Sequence, residues 1–142
     1  FFFFFFLFSL FLGTRTTNKR SSTHIWVRRV RAETRPLVLS RFAEDLTQLK
    51  SINLTRCNYL GDKALQMLQL RKDSLEEVRV ISCGNVSDAG VKSLSELAKL
   101  HYLELFDLPG VPDREAILRH FNEFLPTCKV DYRDVNEATK PK

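Results

Sequence analysis

The most constraining feature of this sequence is a short apolar pattern that recurs every 25 to 26 residues. In the first three copies a leucine is followed by apolar residues three and five positions later, and then by a cysteine or a leucine. The copies are Leu49-x-x-Ile52-x-Leu54-x-x-Cys57, Leu75-x-x-Val78-x-Val80-x-x-Cys83, Leu100-x-x-Leu103-x-Leu105-x-x-Leu108 and, more faintly, Leu125-x-x-Cys128-x-Val130. A fixed period in this range is typical of a solenoid, whose units bury their apolar faces against one another.

Each copy predicts a strand followed by a helix. Apolar residues alternate in the period of a half-buried strand, so strands are expected near residues 52–54, 78–80, 103–105 and 128–130. Apolar residues at helical spacing are expected to face the sheet: Leu65 and Leu68; Val91, Leu94 and Leu97; Ile117, Leu118 and Phe121. This pattern is typical of cysteine-containing leucine-rich repeats. We predict an α/β leucine-rich-repeat solenoid of about four strand-turn-helix units with a parallel sheet.

Residues 1–24 are predicted to be a leader outside the repeats. Phe1–Leu12 is almost wholly apolar but shorter than the roughly 20 residues of a membrane-spanning helix. It lacks the initiator methionine and positive n-region of a secretory signal peptide. We hypothesise that the stretch from Phe1 to about Gly13 is read-through of non-coding sequence. The basic, Ser- and Thr-rich stretch 14–35 has the composition of a mitochondrial transit segment, and an exposed basic linker explains it as well.

Residues 25–132 are predicted to form the repeat domain, and residues 133–142 a polar tail. One further, degenerate unit is expected at the beginning of the domain, formed by Val27 and Val30 and then by Leu37, Leu39, Phe42 and Leu46. Leu39 and Phe42 precede Leu65 and Leu68 by 26 residues, which supports the helical half. Pro36 would lie near the beginning of that helix, where its missing N–H is tolerated.

The net charge of +5 is unevenly distributed. Residues 1–41 contain eight Lys and Arg against one acid, Glu33, whereas residues 42–142 contain fourteen against sixteen. The repeats are therefore near neutral, and they lack the basic, aromatic-lined groove expected of a nucleic-acid binder. A nucleic-acid partner is not predicted.

The three cysteines are predicted to be structural thiols. Cys57 and Cys83 occupy the same inward position of successive repeats, where a free cysteine behaves as a small buried hydrophobe. An odd number of cysteines favours a reducing compartment over a disulfide framework. Together with three scattered histidines they do not have the spacing of a metal site, so no metal or cofactor is predicted.

Three aspartates recur at one place in the pattern, five residues after its last apolar position: Asp62, Asp88 and Asp113. They are predicted to stabilise the beginnings of helices, where an Asp or the neighbouring Ser87 satisfies unpaired N–H groups and favours the helix dipole. A metal or acid–base site is the less favoured alternative. No nucleophile is accompanied by a plausible base, so the protein is not predicted to be an enzyme.

The residues between the inward positions are predicted to project from the open face of the sheet. Aligning the repeats gives three columns: Ser51, Glu77, Tyr102 and Thr127; Asn53, Arg79, Glu104 and Lys129; Thr55, Ile81, Phe106 and Asp131. Large apolar side chains among charged ones are typical of protein-binding patches, although single exposed hydrophobes are also common. The predicted binding residues are Asn53, Thr55, Glu77, Arg79, Ile81, Tyr102, Glu104 and Phe106.

The segments CNYLGD at 57–62, ISCGNVSD at 81–88 and LHYLELFDLPGV at 100–111 resemble the mitochondrial ATP synthase coupling factor B family, also called subunit s. The resemblance extends over roughly residues 27–132. It implies a non-enzymatic repeat protein on the matrix side of the inner mitochondrial membrane, peripherally associated with the membrane sector of ATP synthase and supporting coupled proton transport. The resemblance also implies dithiol chemistry. Cys57 and Cys83, on neighbouring strands, would be close enough to form a disulfide.

From the resemblance, we expect that the family's globular N-terminal segment does not precede these repeats. Functions of that segment cannot be transferred, and an uncapped first repeat predicts self-association, hence a possible homo-oligomer. Two alternatives remain open. A sister family of complex I assembly components shares the Asp-Leu-Pro turn, and ubiquitin-ligase adaptors of the F-box type share the repeat period.

Overall fold

The structure is a computed structural model that describes the backbone of residues 15–19 and 22–28 and the complete residues 49–133. Strands and helices alternate along residues 49–133. The strands are β1 (Arg15–Lys19), β2 (Ser22–Arg28), β3 (Leu49–Thr55), β4 (Glu77–Ile81), β5 (Tyr102–Phe106) and β6 (Lys129–Arg133). The helices are α1 (Asp62–Met67), α2 (Asp88–Ser93) and α3 (Arg114–Phe124), and short 3-10 turns, Leu68–Arg71 and Leu94–Glu96, continue α1 and α2.

The strands form one sheet in sequence order, β1-β2-β3-β4-β5-β6. β3 to β6 are parallel to one another, as predicted, and β2 also pairs in parallel with β3. β1 pairs antiparallel with β2 and lies within the stretch assigned above to a leader. The helix predicted around Leu39 and Phe42 lies outside the described residues. No helix in the described part of the chain is long and apolar enough to cross a membrane.

The predicted alignment is correct for the first three copies of the pattern. Ile52 pairs with Val78, and Val78 pairs with Leu103. The fourth alignment is wrong by two residues, because Leu103 pairs with Val130 and not with Cys128. Helix α3 has 11 residues, whereas α1 and α2 have six each before their 3-10 turns. Because α3 is longer, the residues of β6 that pair with β5 lie two positions later in the sequence than predicted.

The core lies between the sheet and the helices. In β4 and β5 every second side chain is buried, which is the period expected of a strand with one covered face. The predicted helix residues Leu65, Leu68, Val91, Leu94, Leu97, Ile117 and Phe121 are all buried. Leu118 differs, since it is only half-buried. Burying a side chain of this size stabilises the fold by about 1.5 to 3 kcal/mol, so the packed units depend on one another.

The predicted role of the three aspartates holds for one of them in full. Asp113 is the N-cap of α3, and its side chain accepts a hydrogen bond from the backbone N–H of Ala116 at 2.8 Å. Asp62 and Asp88 lie in the first turns of α1 and α2, near the positive end of the dipole, but no side chain caps either helix. For these two, the prediction of a local capping bond is wrong.

Asp62 instead joins two units. Its carboxylate accepts hydrogen bonds from the backbone N–H of Ser87 at 2.7 Å and from the Ser87 hydroxyl at 2.6 Å. Gly90 permits this contact, because a Cβ atom there would lie 2.3 Å from Asp62 Oδ1 and 2.9 Å from its Cα. The buried Oδ1 of Asp88, one unit later, has no hydrogen-bond partner in the described part of the chain.

Candidate protein-binding face

Three columns of side chains lie on the side of the sheet opposite the helices. We call this surface the open face. Strand pairing places Ser51, Glu77, Tyr102 and Lys129 in the first column, Asn53, Arg79, Glu104 and Asp131 in the second, and Thr55, Ile81, Phe106 and Arg133 in the third. All eight residues predicted to bind lie in these columns. The β6 residues differ from the prediction because of the shift by two residues.

The end of the open face at β3 is less accessible than predicted. Ser51 and Asn53 are each only 5% exposed. The Thr55 hydroxyl donates a hydrogen bond to Asn53 Oδ1 at 2.5 Å, and β3 is flanked by β2 on one side and β4 on the other. The burial of Asn53 argues against its predicted contact with a partner. Among the side chains that the structure describes, Thr55 and the residues of β4 to β6 form the accessible part of the face.

Five of the six charged residues of β4 to β6 pair with one another. Arg79 Nε lies 3.0 Å from Glu104 Oε2, and Arg79 Nη2 lies 3.4 Å from Glu77 Oε2. The other oxygen of Glu104 lies 2.9 Å from Nη2 of Arg133, whose Nε lies 3.1 Å from Asp131 Oδ1. These three acids and two arginines form one continuous network with a net charge of −1. A partner therefore meets neither a strongly acidic nor a strongly basic surface here.

Tyr102 lies against this network. The Arg79 guanidinium carbon is 5.3 Å from the centre of the Tyr102 ring, within the range of a cation–π contact. Partial burial raises the pKa of Tyr102, and the nearby carboxylates of Glu104 and Asp131 raise it further. Tyr102 is therefore a neutral phenol at physiological pH and presents an aromatic ring with a hydroxyl group.

The third column contains the apolar part of the open face. Ile81 and Phe106 are directly paired on β4 and β5, and both side chains are half-buried. Thr55 lies beside Ile81, and Arg133 lies beside Phe106. The pair forms a small apolar patch bordered by a hydroxyl and a guanidinium group, which is the composition expected where an aliphatic or aromatic anchor of a partner would dock.

Arg133 was missed by the sequence analysis, which assigned it to the polar tail. It completes the third column and pairs with Glu104 on the neighbouring strand. Alternation in Lys129-Val130-Asp131-Tyr132-Arg133 is the sequence feature that could have identified the strand. Tyr132 is buried, and its hydroxyl donates a hydrogen bond to the Val111 carbonyl at 2.6 Å.

The three cysteines are buried, and none of them forms a disulfide with another described cysteine. The Cys83 thiol lies 3.5 Å from the carbonyl oxygens of Leu54 and Ile81. A hydrogen bond with the Cys57 thiol lowers the pKa of Cys83 against the opposing effect of burial, whereas burial raises the pKa of Cys128 to about 11. Within the described residues, no group of three or more His, Cys, Asp or Glu could hold a metal ion.

Comparison with known proteins identifies several relatives that share one name. The chain is similar to "ATP synthase subunit s, mitochondrial" of Rattus norvegicus, with 43% identity over 89 residues, which are 60% of this chain and 44% of the rat protein. The protein of that name from Homo sapiens is 38% identical over 91 residues, 61% of this chain and 45% of the human protein. The chain thus spans a little under half the length of the curated relatives that it matches. No protein-family model matches it.

Proposed function

We propose that the chain is a leucine-rich-repeat interaction scaffold without enzymatic activity, which associates peripherally with the membrane sector of ATP synthase. Its location would be the matrix side of the inner mitochondrial membrane, and its role would be to support proton transport coupled to ATP synthesis. The observation that carries this proposal is the identity of 36 to 43% to relatives named as mitochondrial ATP synthase subunit s.

The repeat architecture is supported by features that recur from unit to unit. Equivalent inward residues pair across β3, β4 and β5. The first residue after each of these strands has a left-handed backbone, with φ of 55° at Arg56, 52° at Ser82 and 53° at Asp107. A helix then returns the chain to the beginning of the next strand. Such units have one covered face and one open face, and the open face is the usual binding surface of solenoids.

The Ile81–Phe106 patch is proposed as the anchor point for the partner. The paired charges on β4 to β6 have a net charge of only −1, so they form the border of the patch and contribute little net attraction. A few apolar or aromatic residues commonly provide most of the binding energy of such an interface.

The test is co-migration with ATP synthase on native gels after the full chain is introduced into isolated mitochondria. A double variant, Ile81→Ser with Phe106→Asp, should abolish co-migration while the protein remains folded. Leu70→Ser provides the matched control, because Leu70 is 54% exposed and lies in the 3-10 turn after α1, away from the open face. Co-migration with complex I intermediates, or capture of ubiquitin-ligase subunits in the cytosol, would contradict the proposal.

A further inference from the structure

A second charged surface lies at the carboxyl ends of the parallel strands. Arg56, Ser82 and Asp107 are the first residues after β3, β4 and β5, and we call them the loop rim. The rim lines an open cleft of about 480 Å³ together with Asn58, Gly84 and Pro109. It does not belong to the open face, and the function proposed above does not use it.

The loop rim is held in a fixed geometry. All three residues have nearly the same left-handed φ, between 52° and 55°. The N–H of Arg56 donates to the carbonyl of Ile81 at 2.8 Å, and the N–H of Ser82 donates to the carbonyl of Phe106 at 2.9 Å. Neighbouring strands are about 4.8 Å apart, so the backbones of Arg56 and Asp107 are separated by about 10 Å, with Ser82 between them.

Two opposite charges on the rim lack a partner among the residues that the structure describes. The ion pairs found there involve neither the exposed Arg56 nor the half-buried Asp107. Rotation of a second copy by 180° about an axis through Ser82 places its Asp107 opposite Arg56 and its Arg56 opposite Asp107. The rim is thus complementary in charge to itself, which is the requirement for a two-fold symmetric interface.

The next residues along the cleft follow the same symmetry. Asn58 and Pro109, two positions after Arg56 and Asp107, are both exposed and both line the cleft. The same rotation places Asn58 of one copy opposite Pro109 of the other. We infer that the loop rim is a homodimer interface, in which two Arg56–Asp107 ion pairs fix the orientation of two copies of this chain.

The experiment uses the full chain with reversed charges. Arg56→Glu and Asp107→Arg should each raise the dimer dissociation constant about tenfold or more, because each turns two attractive pairs into two repulsive ones. A 1:1 mixture of the two single variants should associate about as tightly as the wild type, since both contacts in the mixed dimer are again attractive. The double variant should also dimerise. Sedimentation velocity at increasing concentration measures all four cases.

Three results would overturn the inference. The wild type could remain monomeric at millimolar concentration, the single variants could associate as tightly as the wild type, or the mixture could associate no better than its components. Association through the apolar stretch Phe1–Leu12 would give the second result, because it does not depend on these charges. Circular dichroism of each variant checks that it is folded. Raising the salt concentration from about 0.15 M to about 0.5 M shortens the Debye length from about 8 Å and screens the ion pairs. The wild-type dimer should therefore become weaker.

Discussion

Replacing Asp62 with alanine tests how strongly adjacent units are joined. The carboxylate accepts two hydrogen bonds from Ser87, at 2.7 Å and 2.6 Å. A hydrogen bond to a charged group contributes about 1.5 to 3 kcal/mol when buried, and we take the lower part of that range because Asp62 is half-buried. Losing both bonds should therefore reduce the free energy of unfolding by about 3 kcal/mol. For a domain of this size, that corresponds to a fall in Tm of roughly 10 to 20 °C.

The matched control is Asp88→Ala. Asp88 occupies the same place in the first turn of α2, but its buried Oδ1 has no partner among the described residues. This variant should lose only the favourable interaction with the helix dipole, about 0.3 to 1 kcal/mol. Urea unfolding followed by circular dichroism measures both changes. If Asp62→Ala and Asp88→Ala destabilise the protein equally, the bridge to Ser87 does not stabilise the stacking of the units.

Other residues give predictions of the same kind. Gly90→Ala should cost about 1 to 3 kcal/mol by overpacking, since its Cβ would lie 2.3 Å from Asp62 Oδ1, whereas Gly84→Ala, whose nearest contact would be at 3.8 Å, should be tolerated; thermal melts compare them. Cys128, whose pKa is raised to about 11, should react with a maleimide at pH 8 far more slowly in the native protein than in urea. A hydrogen bond from Lys50 lowers the pKa of Glu76 in the folded protein. The contribution of Glu76 to stability should therefore be present above pH 4.5, the ordinary pKa of a glutamate, and be lost as the pH falls through the lower folded pKa. Glu76→Gln should flatten that part of the stability curve, and an unchanged curve would refute the assignment.

The sequence predicted β3, β4 and β5 and their alignment because these units have almost the same length. Leu103 follows Val78 by 25 residues and also pairs with it. The fourth strand could not be placed in this way, since Val130 follows Leu103 by 27 residues. A longer helix shifts the period without changing the local pattern. The alternation of Val130 and Tyr132 was the better guide at that position.

Contacts between units were not predictable from the period. Asp62 was expected to bond its own helix, but its partner Ser87 is 25 residues away. Only the packing of α1 beside α2 brings the two residues together. The burial of Asn53 was not predictable for a similar reason. The repeat alignment shows that Asn53 faces outward, but it does not show which strands lie on either side of Asn53. Periodicity identifies the inward and outward faces, whereas the stacked structure decides which outward residues are accessible.

The unpartnered Oδ1 of Asp88 shows that the contacts between α1 and α2 differ from those between α2 and α3. Ser87 follows Val86, and the equivalent residue of the next unit is Pro112, which follows Val111. Pro112 has no N–H to donate, and the residue after it is the acidic Asp113. The carboxylate bridge between α1 and α2 therefore has no counterpart at Asp88. Helix α3 is linked to the preceding unit by one imidazole nitrogen instead, since His120 Nε2 lies 3.0 Å from Ser95 Oγ and 3.3 Å from the Lys92 carbonyl oxygen. The shorter bonds to the Asp62 carboxylate are the stronger ones. Thermal opening should begin between α2 and α3, and amide hydrogens of α3 and β6 should exchange with solvent before those of β3 and β4.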